Sequence, residues 1–120
     1  LKLNKMDNNY DYVKKILSFQ YTEATIFRYY NLLRKISDEL GYASILRMFI
    51  RILDNPVYEV ETIVTMLNKF QGGSKVKIYA YPLLAILNEI LQNISYYDEQ
   101  EKMIIQVEEA IDEIRIQFKS

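Results

Sequence analysis

The chain has 120 residues, half of them apolar, with no cysteine, histidine or tryptophan and a net charge of −1. That is one domain's worth of sequence with enough apolar material for a single core. The missing Cys and His exclude a disulfide framework, ordinary zinc and iron–sulfur ligation, Cys–His nucleophiles and Ser–His triads.

Charge is unevenly spread. Residues 1–77 carry 12 Lys+Arg against 8 Asp+Glu, net +4, whereas residues 78–120 carry 3 against 8, net −5. A basic front and an acidic tail suit a nucleic-acid face held away from a solvating helix, and they equally suit two faces that pair between subunits. No apolar run approaches the ~18–20 residues of a membrane span, and no signal-peptide pattern opens the sequence. The lack of cysteine fits a cytoplasmic location. Met6 is a candidate native start behind the short Leu1–Lys5 stretch.

Taken in chain order, residues 1–9 are polar and read as a flexible N-terminal segment, followed by a single helical domain over 10–120. Tyr10, Val13, Ile16 and Leu17 have helical spacing, which predicts a first helix ending near Phe19. Thr22 reads as an N-cap with Glu23 in the first turn, where the helix dipole favours a carboxylate. Ile26, Tyr29, Tyr30, Leu33, Ile36 and Leu40 form the stripe of a second helix, and Gly41 ends it. Ser44 caps a third, short helix over 45–53. That helix is apolar on nearly every side except Arg47 and Arg51, a pattern that predicts burial over most of its surface.

Pro56 forces Asn55 out of helical geometry and closes the third helix. A fourth runs from about Tyr58 to Phe70, with Val60, Ile63, Val64 and Leu67 inward. Gly72-Gly73 then breaks the chain. Val76 to Tyr81 is rich in β-branched and aromatic residues and alternates like a short strand. The other reading makes it the first turns of a helix capped by Ser74 and bent at Pro82. Helix is favoured, because a lone strand has no evident partner. Leu83, Leu84, Leu87, Ile90, Leu91 and Ile94 make the next stripe. Asp98 with Glu101 resembles a capping box, and the last helix carries Ile104, Val107, Ile111, Ile114 and Phe118 inward. The expected fold is therefore an all-α, single-domain bundle of five to six helices, with one short strand or wing at 76–81 as the variant.

Catalytic chemistry is poorly supplied. Glu108 and Asp112 share a helix face, but in so charged a helix a solvated face is the simpler reading. Gly72-Gly73-Ser74-Lys75 lacks the spacing and the Gly-Lys-Ser/Thr triplet of a phosphate loop. Backbone amides after Gly73, with Lys75 and Lys77 nearby, could cradle one phosphate; a plain glycine turn is the simpler account. No cofactor or metal is expected, and no enzyme.

Two stretches point toward nucleic acid. Residues 36–44 resemble the turn of a helix-turn-helix, after which Arg47 and Arg51 lie four apart on one face. Against this, the apolar neighbours leave little polar surface for a groove. The glycine loop with its lysines, in strand form, would resemble the wing of a winged-helix protein, with residues 83–119 as a dimer-forming helical hairpin. The phosphate-contacting candidates are Arg28, Arg34, Lys35, Arg47, Arg51, Lys69, Lys75 and Lys77.

Residues 10–36 resemble the opening of the small helical subunit of type III CRISPR effector complexes. The matching features are a helix, a short break, then Thr22 leading into Ile26-Phe27-Arg28-Tyr29-Tyr30-Asn31. The resemblance spans about a quarter of the chain, and the acidic C-terminus departs from it. It implies a non-catalytic subunit of a nucleoprotein complex.

The expectation is a helical subunit or regulator that acts by binding, most plausibly to nucleic acid and away from membranes. The alternative is a protein–protein adaptor or antagonist with an apolar groove, or a chain that self-associates through its helices over 83–118. A shared basic face would favour the first and an apolar groove the second.

Overall fold

In the computed structural model the described backbone covers residues 2–71, 73–94 and 101–118, with side chains over 9–70, 75–94 and 101–118. Six α-helices and one 3₁₀ segment follow in order: α1 Lys2–Leu17, α2 Glu23–Leu40, α3 Ile45–Asp54, α4 Pro56–Gln71, the 3₁₀ segment Gly73–Tyr79, α5 Ala80–Ile94 and α6 Glu101–Gln117. The described residues contain no strand, so the expected all-α bundle holds and the strand or wing at 76–81 is replaced by 3₁₀ helix and the start of α5.

Helix α1 starts at Lys2, well before the Tyr10 that apolar spacing marks. Among the described side chains of α1, Val13 and Leu17 are fully buried in the core. Helix α2 has both predicted caps. The Thr22 hydroxyl accepts from the Thr25 amide at 3.3 Å. At the other end Gly41 adopts φ +76, with its amide donating to the Asp38 carbonyl at 3.3 Å and the Tyr42 amide to the Ser37 carbonyl at 2.9 Å. Those two bonds form a Schellman motif, which needs a left-handed residue and so favours glycine. The Ser44 hydroxyl starts α3 by accepting from the Arg47 amide at 3.1 Å.

Asn55 serves two helices at once. Its amide donates back to the Arg51 carbonyl at 3.1 Å, ending α3, and its carbonyl accepts from the Glu59 amide at 3.0 Å, opening α4. Pro56 therefore both stops one helix and occupies the first position of the next, where its missing N–H costs nothing. For this reason α4 begins at Pro56 rather than Tyr58.

Helix α5 is central, touching α1, α2, α6 and the 3₁₀ segment. Leu83, Ile86 and Leu87 are completely buried, and Pro82, Ala85 and Glu89 nearly so. Sequence spacing yields a one-sided stripe that passes over Ile86. A helix packed from several directions is instead apolar around most of its circumference. Each fully buried Leu or Ile side chain contributes ~1.5–3 kcal/mol of transfer free energy.

Helix α3 departs from expectation in the opposite sense. Ile45, Met48, Phe49 and Ile52 are buried, but Leu46 and Ile50 are 44% and 45% exposed. It packs on α1, α2, α4 and α6 and leaves the face carrying Leu46 and Ile50 turned outward. The Asp98–Glu101 capping box falls partly outside the described residues.

Candidate functional site

An open cleft of about 430 Å³ lies between α2 and the corner where the 3₁₀ segment meets α5. Its walls are Arg28, Tyr29 and Leu32 on one side and Ile78 and Tyr81 on the other. The α2 wall follows from helical spacing. Ile26, Tyr30, Leu33 and Ile36 point into the core, so positions 28, 29 and 32 flank that buried face.

The opposite wall follows from the 3₁₀ period of three residues per turn. Val76 and Tyr79, three apart, are 4% and 2% exposed. Lys75, Ile78 and Tyr81 repeat at the same interval on the outward side, and all three are exposed. Pro82 fixes where this geometry ends. In an α-helix its ring would collide with the carbonyl of Ile78, four residues back, and it offers no N–H to that carbonyl. Continuous α-helix through Ile78 is thus blocked, and α5 starts only at Ala80.

Within the cleft the Arg28 guanidinium sits 5.6 Å from the Tyr29 ring centroid. Tyr29 in turn meets Tyr21, with ring centroids 5.5 Å apart. Burial, followed by the proximity of Tyr29 and of Glu89, pushes the Tyr21 phenol above its ordinary range. Beyond Tyr21 the Gln20 side chain donates to Gln92 Oε1 at 3.4 Å, tying the α1–α2 connection to α5. Among the described residues no carboxylate forms an ion pair with Arg28, Lys75 or Lys77.

The other predicted cations are placed differently. Arg34 pairs with Asp38 at 3.6 Å, and both line a shallow depression with Asn31, Lys35 and Glu39. Lys35 is thus exposed beside two carboxylates. Arg47 is exposed on α3, and Lys69 is exposed in the last turn of α4. Arg51 is engaged in a structural triad. Its guanidinium lies 3.5 Å from a Glu59 oxygen and 5.6 Å from the Tyr42 ring centroid. The Tyr42 hydroxyl donates to the other Glu59 oxygen at 2.7 Å. Glu59 is itself buried near the start of α4, so the triad joins the α2–α3 turn, α3 and α4. Burial and then the bond to Glu59 push the Tyr42 phenol strongly upward.

Of eight candidate cations, then, Arg28 lines the cleft, while Lys75 and Lys77 are exposed on the 3₁₀ segment and are not among its walls. The other five are spread over α2, α3 and α4, and two of them are bound to acids of the same chain. Leu32, Ile78 and Tyr81 were not singled out as site residues by sequence, and Tyr29 was absorbed into the core stripe of α2. The available signal was the run of apolar residues beside Gly72-Gly73 and Pro82, where regular packing is interrupted.

A second open depression, about 290 Å³, lies between α3 and α6 and is lined by Ile50, Arg51, Leu53, Asp54, Met103 and Gln106. Among the described residues no three His, Cys, Asp or Glu side chains gather into a metal-binding group, and no helix is long and apolar enough to cross a membrane.

Comparison with protein-family models, curated proteins and solved structures returns no match. The resemblance of residues 10–36 to the type III CRISPR small subunit gains no support from it.

Proposed function

We propose that this protein is a non-catalytic binding module whose working surface is the α2/3₁₀–α5 cleft, and that it takes an apolar protein segment there. The cleft itself carries this reading. Four of its five walls are Tyr29, Leu32, Ile78 and Tyr81, with Ile78 and Tyr81 47% and 62% exposed. Large side chains left open beside a concavity are the usual mark of a protein-docking site. A wall held by Pro82 and by helix packing is preformed, which limits the ordering that binding would require.

A second reading, single-stranded nucleic acid, is favoured by one specific observation. Arg28 is backed by Tyr29, with the exposed Tyr81 across the cleft and Lys75 and Lys77 beside Ile78. Aromatic faces with interleaved cations suit stacked bases and phosphates. The protein reading is preferred because Arg34 and Arg51 are bonded to acids, and Lys35 sits beside Asp38 and Glu39.

Amide-shift titrations with a synthetic acidic amphipathic peptide and with a single-stranded oligonucleotide discriminate the two. Saturable shifts at Tyr29, Leu32, Ile78 and Tyr81 with the peptide are expected. Oligonucleotide binding whose log–log salt slope changes by roughly 0.7 per phosphate contact, without peptide binding, would favour the nucleic-acid reading.

A further inference from the structure

We infer that the outward face of α3 is a self-association surface, on which a second copy of the chain docks antiparallel about a two-fold axis. The inference is independent of the cleft. It starts from two side chains that α3 leaves uncovered. Leu46 and Ile50 are 44% and 45% exposed, and among the described side chains they are the one pair of large hydrophobics exposed a single turn apart on the same α-helix. Partly buried Leu53 extends the row. Steps of four and then three residues, from 46 to 50 to 53, are those of the seam by which two helices pack side by side. Beside this ridge lies the depression of about 290 Å³ between α3 and α6, with Ile50, Leu53 and Met103 among its walls. Ridge and groove adjoin on one surface, which suits a self-complementary two-fold contact.

The charges beside the seam select its partner and direction. Arg47 and Asp54 are both exposed, and each directly follows a seam position, so they lie along the same flank. Seven residues of α-helix separate them by about 10 Å, too far to pair within one helix. Their signs are also reversed for α3 itself. A helix favours an acid in its first turn and a cation in its last, whereas Arg47 lies in the first turn and Asp54 is the final residue. Asp54 also precedes α4, whose first turn it suits, so the uncompensated reversal is at Arg47.

Two copies of α3 laid antiparallel correct it. With Ile50 of each copy against Leu53 of the other, Arg47 of each falls beside Asp54 of the other, giving two equivalent cross-pairs. The second copy's Asp54 then sits at the first turn of α3, and its Arg47 at the last turn, where the dipole favours each. A parallel arrangement would bring like charges to the same level. Helix α6 does not offer such a contact. Its exposed Ile105 and Ile116 are eleven residues apart, and the exposed Glu108, Glu109 and Asp112 between them would repel a second α6. The α3 seam spans about 10 Å, so the contact is small and belongs to the weak, transient class. The helix is already folded within the bundle, which spares the association the cost of ordering it.

Sedimentation velocity on the intact chain at up to ~500 μM tests this, a range that reaches the sub-millimolar Kd of a small interface. Wild type is expected to sediment as a monomer–dimer equilibrium, and Ile50→Lys as monomer. Arg47→Glu and Asp54→Arg should each weaken the dimer about tenfold or more, because each places like charges at both cross-pairs. The double variant Arg47→Glu with Asp54→Arg reverses both partners at once and should recover association to within about threefold of wild type. Both swaps match the dipole of α3, and far-ultraviolet circular dichroism confirms that every variant folds. Tyr81→Ala, in the cleft, should associate as wild type does. A monomeric wild type overturns the inference. So does self-association that survives Ile50→Lys or both single swaps, or a double variant that stays as weak as the singles. Association lost in Tyr81→Ala would move the contact to the cleft and overturn it as well.

Discussion

Two arginine–tyrosine pairs in this molecule have the same separation and opposite circumstances. Arg28 lies 5.6 Å from the Tyr29 ring, and Arg51 lies 5.6 Å from the Tyr42 ring. The difference is the third member. Glu59 accepts from the Tyr42 hydroxyl and faces Arg51, so that pair is a strut between the α2–α3 turn, α3 and α4. Arg28 and Tyr29 have no such acid and look into an open cleft. A residue pair seen in sequence does not disclose which of these it will be. The deciding carboxylate is seventeen residues from Tyr42 and is supplied only by the fold.

The sharpest way to break the comparison is Tyr42→Phe. It leaves the buried Glu59 carboxylate without its 2.7 Å donor, and a hydrogen bond to a charged group is worth ~1.5–3 kcal/mol. Urea unfolding should show a loss of about 2 kcal/mol, with the slope against denaturant unchanged. A loss as large in Tyr29→Phe would erase the distinction between the two pairs.

The same strut has a pH signature. The Tyr42 phenol is raised above its ordinary 10.0, so the native state keeps a proton that the unfolded chain releases. Stability from this group is complete below that value and falls as the pH rises beyond it. Tyr12 and Tyr21 are raised too and add to the trend. Unfolding free energy measured across the alkaline range should fall less steeply in Tyr42→Phe than in wild type.

Gly41→Ala comes next. A Cβ there would meet nothing within 4 Å, so the cost is the left-handed backbone alone, about 1 kcal/mol. Arg51→Ala should cost about 1 kcal/mol, because its side chain is mostly exposed and only one partner of the ion pair is buried. Smallest of all is Arg28→Ala, expected within ~0.5 kcal/mol of wild type. A destabilisation by Arg28→Ala equal to that of Arg51→Ala would show that the cleft arginine is structural after all.

The sequence was readable where local chemistry decides. Thr22, Gly41, Ser44 and Pro56 act as caps and stops in the structure, because each works through its own backbone or a bond three residues away. The helical class was readable from apolar spacing for the same reason. Burial was less readable wherever it depends on which neighbours arrive. Ile86 is in the core because neighbours cover most sides of α5, and Ile50 is half out because the face of α3 that it shares with Leu46 is left uncovered. The cleft was the least readable part. Its walls come from α2 and from a 3₁₀ turn whose residues spread over both strand and helix periodicities, so neither template picks out Ile78 and Tyr81 together. Arg28, singled out for its charge, lines the cleft, whereas Lys75 and Lys77, singled out from their position beside the glycines, are not among its walls.

Pro82 has one more effect, on how the molecule opens. Helical order spreads by adding one i→i−4 bond at a time, and the ring at Pro82 removes the bond that would carry it from α5 back to Ile78. The backbone hydrogen-bond ladder of the central helix therefore does not run on into the 3₁₀ segment. Side-chain burial joins the two instead: Val76 and Tyr79 are in the same core as Leu83, Ile86 and Leu87, so the cleft wall cannot open without uncovering them. Opening of the 3₁₀ segment should therefore cost the burial of Val76 and Tyr79, and its amides are expected to be protected along with those of α5 in hydrogen exchange. The wall of the binding site is thus anchored by what it buries rather than by a continuous helix.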